Sequence, residues 1–551
     1  MTSEKKPIST PNGIRRPATI LWGIVAAGVF LFAAPPPGAS ARPEPPLTPA
    51  ADSDEPLRLA REASNRKDFA QAAAILRTAL KNDPENKEML SLLARVLAWS
   101  RRFDESIATY RTLLARYPDD AFDRAGYARA LAWSGRSDAA LPEFRRAIAQ
   151  DSTNLETRIG YARALSWSGD LAGASEEYLR VLEADPRNGD AWLGLAAVAR
   201  WRDAPTASDA FTNRAASHGA DKEGLEEERG EVRRALRPAA GSGWTRSRER
   251  QITSDSTAFL LETVGEFVDA RTTLARSIGV QVRASRLHHW EKNPGLPTDT
   301  TLNYDVKSSG FRGDMTFLRR YPVQIAAGIA YQRFDERSPR VLYPLGSDDD
   351  FFGFNTRMWA YVGRFTPSVG IHRDFIAIKT IDPVTGSRVL VPGGATVGDA
   401  GLRWDWSGRG SLTGSFSRAS YTDSNERTSL GGIVAYRVAG TKPRFTADYG
   451  LTWSDFSKTS TSYFTPLESV RHAAGLAATG YSERSSIEYG ARYEFSFMQS
   501  ANFDDIASNI WSANLSGTLL HAIPVGVEGY YSVDNHSYRT WGLTLSGSVR
   551  W

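Results

Sequence analysis

The sequence predicts a multidomain α + β chain: an N-terminal α-helical repeat solenoid followed by an antiparallel transmembrane β-barrel of about sixteen strands, with fourteen as the alternative count. Three observations lead there. Tryptophans recur at a fixed interval through the first half: Trp99, Trp133, Trp167 and Trp201. From Trp244 onward the apolar period shortens to two, as a strand with one wet and one apolar face requires. Finally, the C-terminal stretch puts Trp541, Leu543, Leu545, Val549 and Trp551 on one side of a strand and Thr540, Thr544, Ser546, Ser548 and Arg550 on the other.

A chain of 551 residues exceeds one ordinary domain. With 67 basic and 63 acidic residues the charge is nearly balanced, which gives no footprint for nucleic acid. The absence of cysteine excludes disulfides, thiolate catalysis, cysteine-ligated zinc and a lipidated N-terminal cysteine. Fifteen Trp, 20 Tyr and 46 Gly accompany a hydrophobic share of only 41%, as expected when apolar and polar residues alternate.

Lys5, Lys6, Arg15 and Arg16 precede the apolar run 18–34, a Pro-rich break and Ala39-Ser40-Ala41. That order predicts a signal peptide over 1–41, cleaved after Ala41, with an uncleaved anchor as the alternative. Residues 42–56, rich in Pro and Ala, read as a flexible leader.

Residues 57–219 repeat every 34 positions, the period of tetratricopeptide helix pairs. Ala72, Ser106, Ala140, Ala174 and Ser208 are small where paired helices approach, and Tyr110, Phe144 and Tyr178 fill the next face. Pro84, Pro118 and Pro186 stop the second helices, because proline lacks the N–H that a continuing helix needs. Arg95, Arg129 and Arg163 share the period on the first helices. They read either as a groove ladder for carboxylates of a partner or polymer, or as a solvated helix face. Residues 220–243 read as a charged spacer and linker: Asp221 to Leu236, dense in Glu and Arg, is a charged helix or spacer, and Pro238 to Gly243 a linker.

The barrel is expected over 244–551. Its greasy positions Phe445, Tyr449, Leu451 and Trp453 oppose Arg444 and Asp448, and Tyr489, Tyr493 and Phe495 oppose Glu488, Arg492 and Glu494. By the same alternation Asn303, Asp305 and Lys307 oppose Leu302, Tyr304 and Val306, and Asp399, Arg403 and Asp405 oppose Leu402, Trp404 and Trp406. Charges so regular on one face need water, so these polar residues are the expected pore lining. Long connections are expected after odd strands, including 289–299, 335–350, 378–394 and 457–469, and short ones after even strands, with 313–320 as an exception. Both barrel ends then lie on one side of the membrane.

Catalytic motifs for zinc proteases, nucleophile-elbow hydrolases and phosphate-binding loops do not occur. His288-His289 are strand neighbours pointing apart, so no metal site is expected, and no cofactor. Glu488 and Glu494 have the residue types of a glycosidic acid/base pair, but with Arg492 between them they read as pore wall.

Leu131-Ala132-Trp133-Ser134-Gly135, Leu165-Ser166-Trp167-Ser168-Gly169 and Tyr463-Phe464-Thr465-Pro466 carry a resemblance. The chain resembles the exopolysaccharide export porins, in particular the C-terminal part of cellulose synthase operon protein C and the YaiO-like barrels. Trp133, Trp167, Tyr463, Phe464 and Pro466 match those motifs. The resemblance implies a monomeric outer-membrane barrel with periplasmic repeats, without enzymatic activity. It implies passage of a cellulose-like or poly-N-acetylglucosamine-like glycan, the repeats receiving the glycan or docking periplasmic or synthase-complex proteins. The rival expectation is a barrel plugged by its loops that anchors the repeats as a scaffold or receptor. The chain has about five repeats where the large exporters have a long superhelix.

Overall fold

The computed structural model describes residues 55–252, 257–274, 278–292, 305–320, 322–336, 350–381, 388–440, 443–459, 465–482, 487–519 and 523–550. The expected signal peptide and almost all of the leader lie outside the described residues.

The helical array comprises α1 (Glu55–Asn65), α2 (Phe69–Ala79), α3 (Lys87–Trp99), α4 (Phe103–Arg116), α5 (Ala121–Trp133), α6 (Ser137–Gln150), α7 (Leu155–Ser168), α8 (Leu171–Ala184), α9 (Gly189–Trp201), α10 (Pro205–Ser217) and α11 (Lys222–Leu236). First helices start on a recurring cap: side chains of Asn86, Asp120, Asn154 and Asn188 accept from the N–H three residues on. Removing such a cap costs about 1 kcal/mol.

The repeat aromatics set the spacing between helices. Tyr110, Phe144 and Tyr178 are fully buried, and each lies on a glycine of the next first helix. A Cβ at Gly126, Gly160 or Gly194 would fall 2.3, 2.9 or 2.2 Å from the facing ring. Burial pushes the Tyr178 phenol up to about 12. The small residues Ala72, Ser106, Ala140, Ala174 and Ser208 are all without exposure, and Ser106 satisfies its hydroxyl by donating to the Ala94 carbonyl at 2.7 Å.

Of the two readings of the charged stretch, helix or spacer, the structure has the helix, and it is packed. On α11, Leu225 and Val232 are buried, and the buried Glu228 accepts from Arg200 at 2.9 and 3.1 Å and from Ser208 at 3.0 Å. Its charge density reads as solvent-facing, but Glu228 is neutralised from within the last repeat, so α11 closes the array.

The barrel strands are β1 (Ala239–Ile252), β2 (Thr257–Leu274), β3 (Ile278–Lys292), β4 (Asp305–Arg320), β5 (Val323–Glu336), β6 (Asp350–Ala360), β7 (Phe365–Ile381), β8 (Arg388–Ser407), β9 (Gly410–Tyr421), β10 (Glu426–Ala439), β11 (Arg444–Phe456), β12 (Ser469–Ser482), β13 (Ile487–Gln499), β14 (Ile506–Leu519), β15 (Ile523–Asp534) and β16 (Tyr538–Arg550). Each pairs antiparallel with its neighbours, and β1 closes on β16 from Ala239↔Arg550 to Gln251↔Tyr538. Sixteen strands therefore stand, with the fourteen-strand alternative removed by β1 and β2.

Three boundaries differ from the sequence reading. β1 starts at Ala239 because the small stretch 239–243, which resembles a linker, pairs continuously with β16. Residues 313–320 belong to β4, so the exceptional loop disappears. Residues 378–381 and 388–394 extend the β7–β8 hairpin, paired to Ile381↔Arg388, despite the loop-like Pro392-Gly393-Gly394. The strand ends joined by short connections, such as those after β4, β6, β8 and β10, gather at one end of the barrel, and those joined by long ones, after β3, β5 and β11, at the other.

The outer face is apolar. Phe445, Tyr449, Leu451, Trp453, Tyr493, Trp511, Leu515, Val527, Leu545 and Val549 are all exposed on it, while Phe456, Ser496 and Tyr538 are buried on the inner face. No helix among the described residues is long and apolar enough to cross a membrane.

Gly194→Val forces carbon into the space of the Tyr178 ring, and overpacking of this kind costs about 1–3 kcal/mol. The expected outcome is a lower urea midpoint for the helical signal, with unchanged heat-modifiable migration of the barrel on gels.

Candidate functional site

The array is seated on the short-turn end of the barrel through the turns that follow the repeat tryptophans. Trp133 ends α5 and Trp167 is the last residue but one of α7. Just beyond them, Asp138 and Asp170 receive arginines of the barrel. Arg364, in the β6–β7 turn, donates to both Asp170 carboxylate oxygens at 3.1–3.2 Å. Arg437, near the end of β10, donates to Asp138 at 2.9 Å and to the Ser168 carbonyl at 2.9 Å. Arg409, in the β8–β9 turn, adds a bond to Asp138 at 2.7 Å. In the next repeat, Arg202 stacks over Tyr361 at 4.5 Å while the Tyr361 hydroxyl donates to the Arg202 carbonyl at 3.3 Å.

This contact is close and largely dry. Asp170 is 5% exposed, Ser168 3% and Arg437 7%. Gly408 lets the backbones meet: a Cβ there would fall 2.8 Å from the Asp170 nitrogen. Asp170 serves both halves, since it also caps α8 by accepting from Gly173 N–H at 2.8 Å. Sequence reading did not find these groups. Their one common feature in the sequence is position, with arginines in or beside the short strand turns and aspartates at the start of the second helices, and nothing there pairs them.

Above this seat the inner wall carries charges neutralised in place. Arg492 bridges Asp448 at 2.5 and 2.8 Å and Glu494 at 2.8 Å, and Arg471 completes the row on Glu494 at 2.6 Å. Gly475 on the intervening strand leaves the Arg492 guanidinium its place, since a Cβ there would lie 2.4 Å from it. Arg403 pairs with Asp405 at 2.9 Å, and Asp399 lies 3.6 Å from His372. Glu488 accepts from Ser516 at 3.4 Å, and Arg444 opens β11 on the same inner face. Two arginines occupy Glu494, in keeping with its reading as pore wall and not as an acid/base partner of Glu488.

Other expected residues fall elsewhere. Register with β3 puts Lys307 on the face of Phe311 and Met315, the outer one, and not on the pore wall. The alternation of Asn303 to Lys307 misleads because its polar phase coincides with the apolar phase further down β4. Asp305 opens β4, and Asn303 lies outside the described residues. Arg95 stacks over Trp99 and Phe122 at 5.8 and 5.0 Å, Arg129 lies against Gly160, and Arg163 is 3.9 Å from Asp190. All three thus bridge one first helix to the next. Tyr463 and Phe464 lie outside the described residues, whereas Pro466 is buried.

The long-loop end is tied together by asparagines. Asn425 donates to the Lys458 carbonyl at 3.0 Å and accepts from Lys458 N–H at 3.1 Å. Asn502 does the same for Thr465 and Leu467, at 2.9 and 2.7 Å, and Asn535 for Asp505 and Ala507, both at 2.9 Å. Beneath them Tyr421 and Phe456, with ring centroids 5.7 Å apart, pack on the inner face with Ala395, Val397 and Ala419. No group of residues suited to a metal occurs among the described residues.

Removing one member of a buried ion pair costs about 3–5 kcal/mol. Arg364→Ala combined with Arg437→Ala is therefore expected to release the array, read as faster amide exchange at residues 134–138 and 168–170 and at 408–409. The strand amides of the barrel should keep their protection.

The tetratricopeptide repeat family matches residues 65–133 and 131–200. No curated protein matches the chain in sequence. Among solved structures, the chain is similar to one described as a bacterial polysaccharide outer membrane secretin, at 11% identity and a TM-score of 0.40, over 56% of this chain and 98% of that one. It is similar to PilW, described as a widely conserved type IV pilus biogenesis factor, at 22% identity and a TM-score of 0.30, over 33% of this chain and 87% of that one. A tetratricopeptide repeat protein from Parabacteroides merdae is similar at 15% identity and a TM-score of 0.31, over 32% and 70% of the two chains. Residues 65–200 thus match tetratricopeptide repeats within an N-terminal helical region, which is followed by a closed antiparallel barrel.

Proposed function

We propose that the chain is an outer-membrane conduit for export of a neutral exopolysaccharide, cellulose-like or poly-N-acetylglucosamine-like, with the repeats on the periplasmic side. The observation that carries this reading is a lumen whose charges are paired with one another, as in Asp448–Arg492–Glu494–Arg471. Such a wall offers hydrogen-bonding edges to sugar hydroxyls without a net field to retain an ion, and conduction favours many weak contacts over one strong one. The array lies against the short-turn end, where a glycan arriving from the cell interior would enter. It receives the chain there or docks a synthase-side protein along its first helices. No covalent step, metal or cofactor is part of the reading, and the working unit is a monomer in outer-membrane lipid.

A second reading has its own support. The asparagine ties and the Tyr421–Phe456 packing hold neighbouring hairpins together at the long-loop end, in keeping with a barrel that serves as a scaffold.

Single-channel recording of the full chain in a planar bilayer distinguishes the two. Export predicts a steady conductance reduced by neutral cello-oligosaccharides added on the array side. A folded but silent barrel, with and without the array, would transfer the assignment to the scaffold.

A further inference from the structure

The inner wall near the closing seam is small and polar except for one ring. The cross-strand row that carries Arg492 passes through Ser512 to Tyr530 and on to Gly542 and Ser247. Register thus puts Tyr530 on the lumen side, and its chain neighbour Tyr531, opposite Trp511, on the outer face. Tyr530 is nevertheless 39% exposed. Glycine makes its place, because a Cβ at Gly542 would fall within the space of the ring, so the ring leans along the wall over β16.

A carboxylate stands beside it. Glu528, two residues nearer the array end on the same face, is exposed and, among the described residues, holds no ion pair or hydrogen bond. In this it differs from Asp448 and Glu494, which share Arg492 at 2.8 Å. Its cross-strand partners are Asn514 and Thr544. Asn514 leans the other way, into the space that a side chain at Gly490 would fill, and Thr544 is short, so the ground around Glu528 is open.

A pyranose has two kinds of surface that such a pair can meet. Its C–H faces, slightly positive, lie against the negative face of an aromatic ring, and its hydroxyls donate to a carboxylate. An anionic ligand would face the uncompensated charge of Glu528, and an apolar one would strip that charge of water. We propose that Tyr530 and Glu528 form a stacking subsite on the lumen wall for one pyranose unit of a neutral, equatorially linked glycan. The subsite rests on the glycan passage proposed above and adds the place where a sugar unit pauses. One ring and one carboxylate make a weak contact, as conduction requires.

The test is saturation-transfer NMR of the full chain in a detergent without a sugar headgroup, titrated with cellohexaose. Tyr530→Ala is expected to weaken binding about tenfold, a difference of about 1.4 kcal/mol. Tyr530→Phe should preserve binding, as should Tyr531→Ala on the outer face. Tyr530→Leu, apolar but without a π face, should lose it like Tyr530→Ala, and replaces that variant if it does not fold. Glu528→Gln is expected to cost about threefold, since an amide accepts more weakly than a carboxylate. Equal binding by every folded variant, or no binding by the unmodified chain, would overturn the subsite. Conductance is read on the same proteins. A conducting barrel whose cellohexaose binding ignores Tyr530 ends the subsite and leaves glycan passage standing, whereas a silent barrel that binds through Tyr530 ends passage and leaves the subsite.

Discussion

Closure of β1 on β16 is the constraint from which the rest of the molecule follows. In hydrocarbon an unpaired sheet edge leaves a row of N–H and C=O groups without water, so a spanning sheet must close. Closing an even number of antiparallel strands brings the first and last to the same end, as Ala239↔Arg550 does here. The helix α11 ends at Leu236, two residues before β1 begins, so the array is delivered to that end with almost no slack. Its short turns leave room for a second domain to lie against them, and the arginine–aspartate contacts fix where it lies.

The docking also explains why the turns after the repeat tryptophans are specialised. In an isolated solenoid, the turns between paired helices face water and tolerate variation. Here Ser168 contributes a carbonyl, Asp170 a cap and a buried ion pair, and Asp138 two arginine contacts. The resemblance to export porins rested partly on this stretch, and the structure gives the stretch a physical task at the joint between domains. The polar wall above the joint is held by the same economy: Gly475 removes a side chain so that Arg492 can reach across a strand to Asp448.

Much of the fold was legible because both periodicities are enforced by burial. The 34-residue period fixed the helix pairs, since Tyr110, Phe144 and Tyr178 each need a small partner one helix on. Alternation fixed most strands, from Arg444–Phe456 to Tyr538–Arg550, because lipid and water face opposite sides. Legibility failed where local composition mimics another state. Ala239–Gly243 resembles a linker yet pairs with β16, and Pro392-Gly393-Gly394 resembles a loop yet continues a hairpin. Lys307 followed a local alternation whose phase is set by β3, a partner the local pattern does not contain. The docking residues were unreadable for a further reason: Arg364 meets Asp170, and Arg437 meets Asp138, only through the closure of the barrel, and no periodicity links them.

The central claim is that the array sits against the short-turn end of the barrel and does not swing from a tether. The chain has no cysteine, so an introduced pair reports on this contact alone. Glu183 on α8 and Ala439 at the end of β10 are both exposed and lie outside the docking contacts, so cysteines there carry nitroxide labels without disturbing the seat. With Glu183→Cys and Ala439→Cys in the full chain, the account predicts a single narrow distance distribution between the labels in membranes. A broad distribution from a folded barrel and a folded array would contradict it.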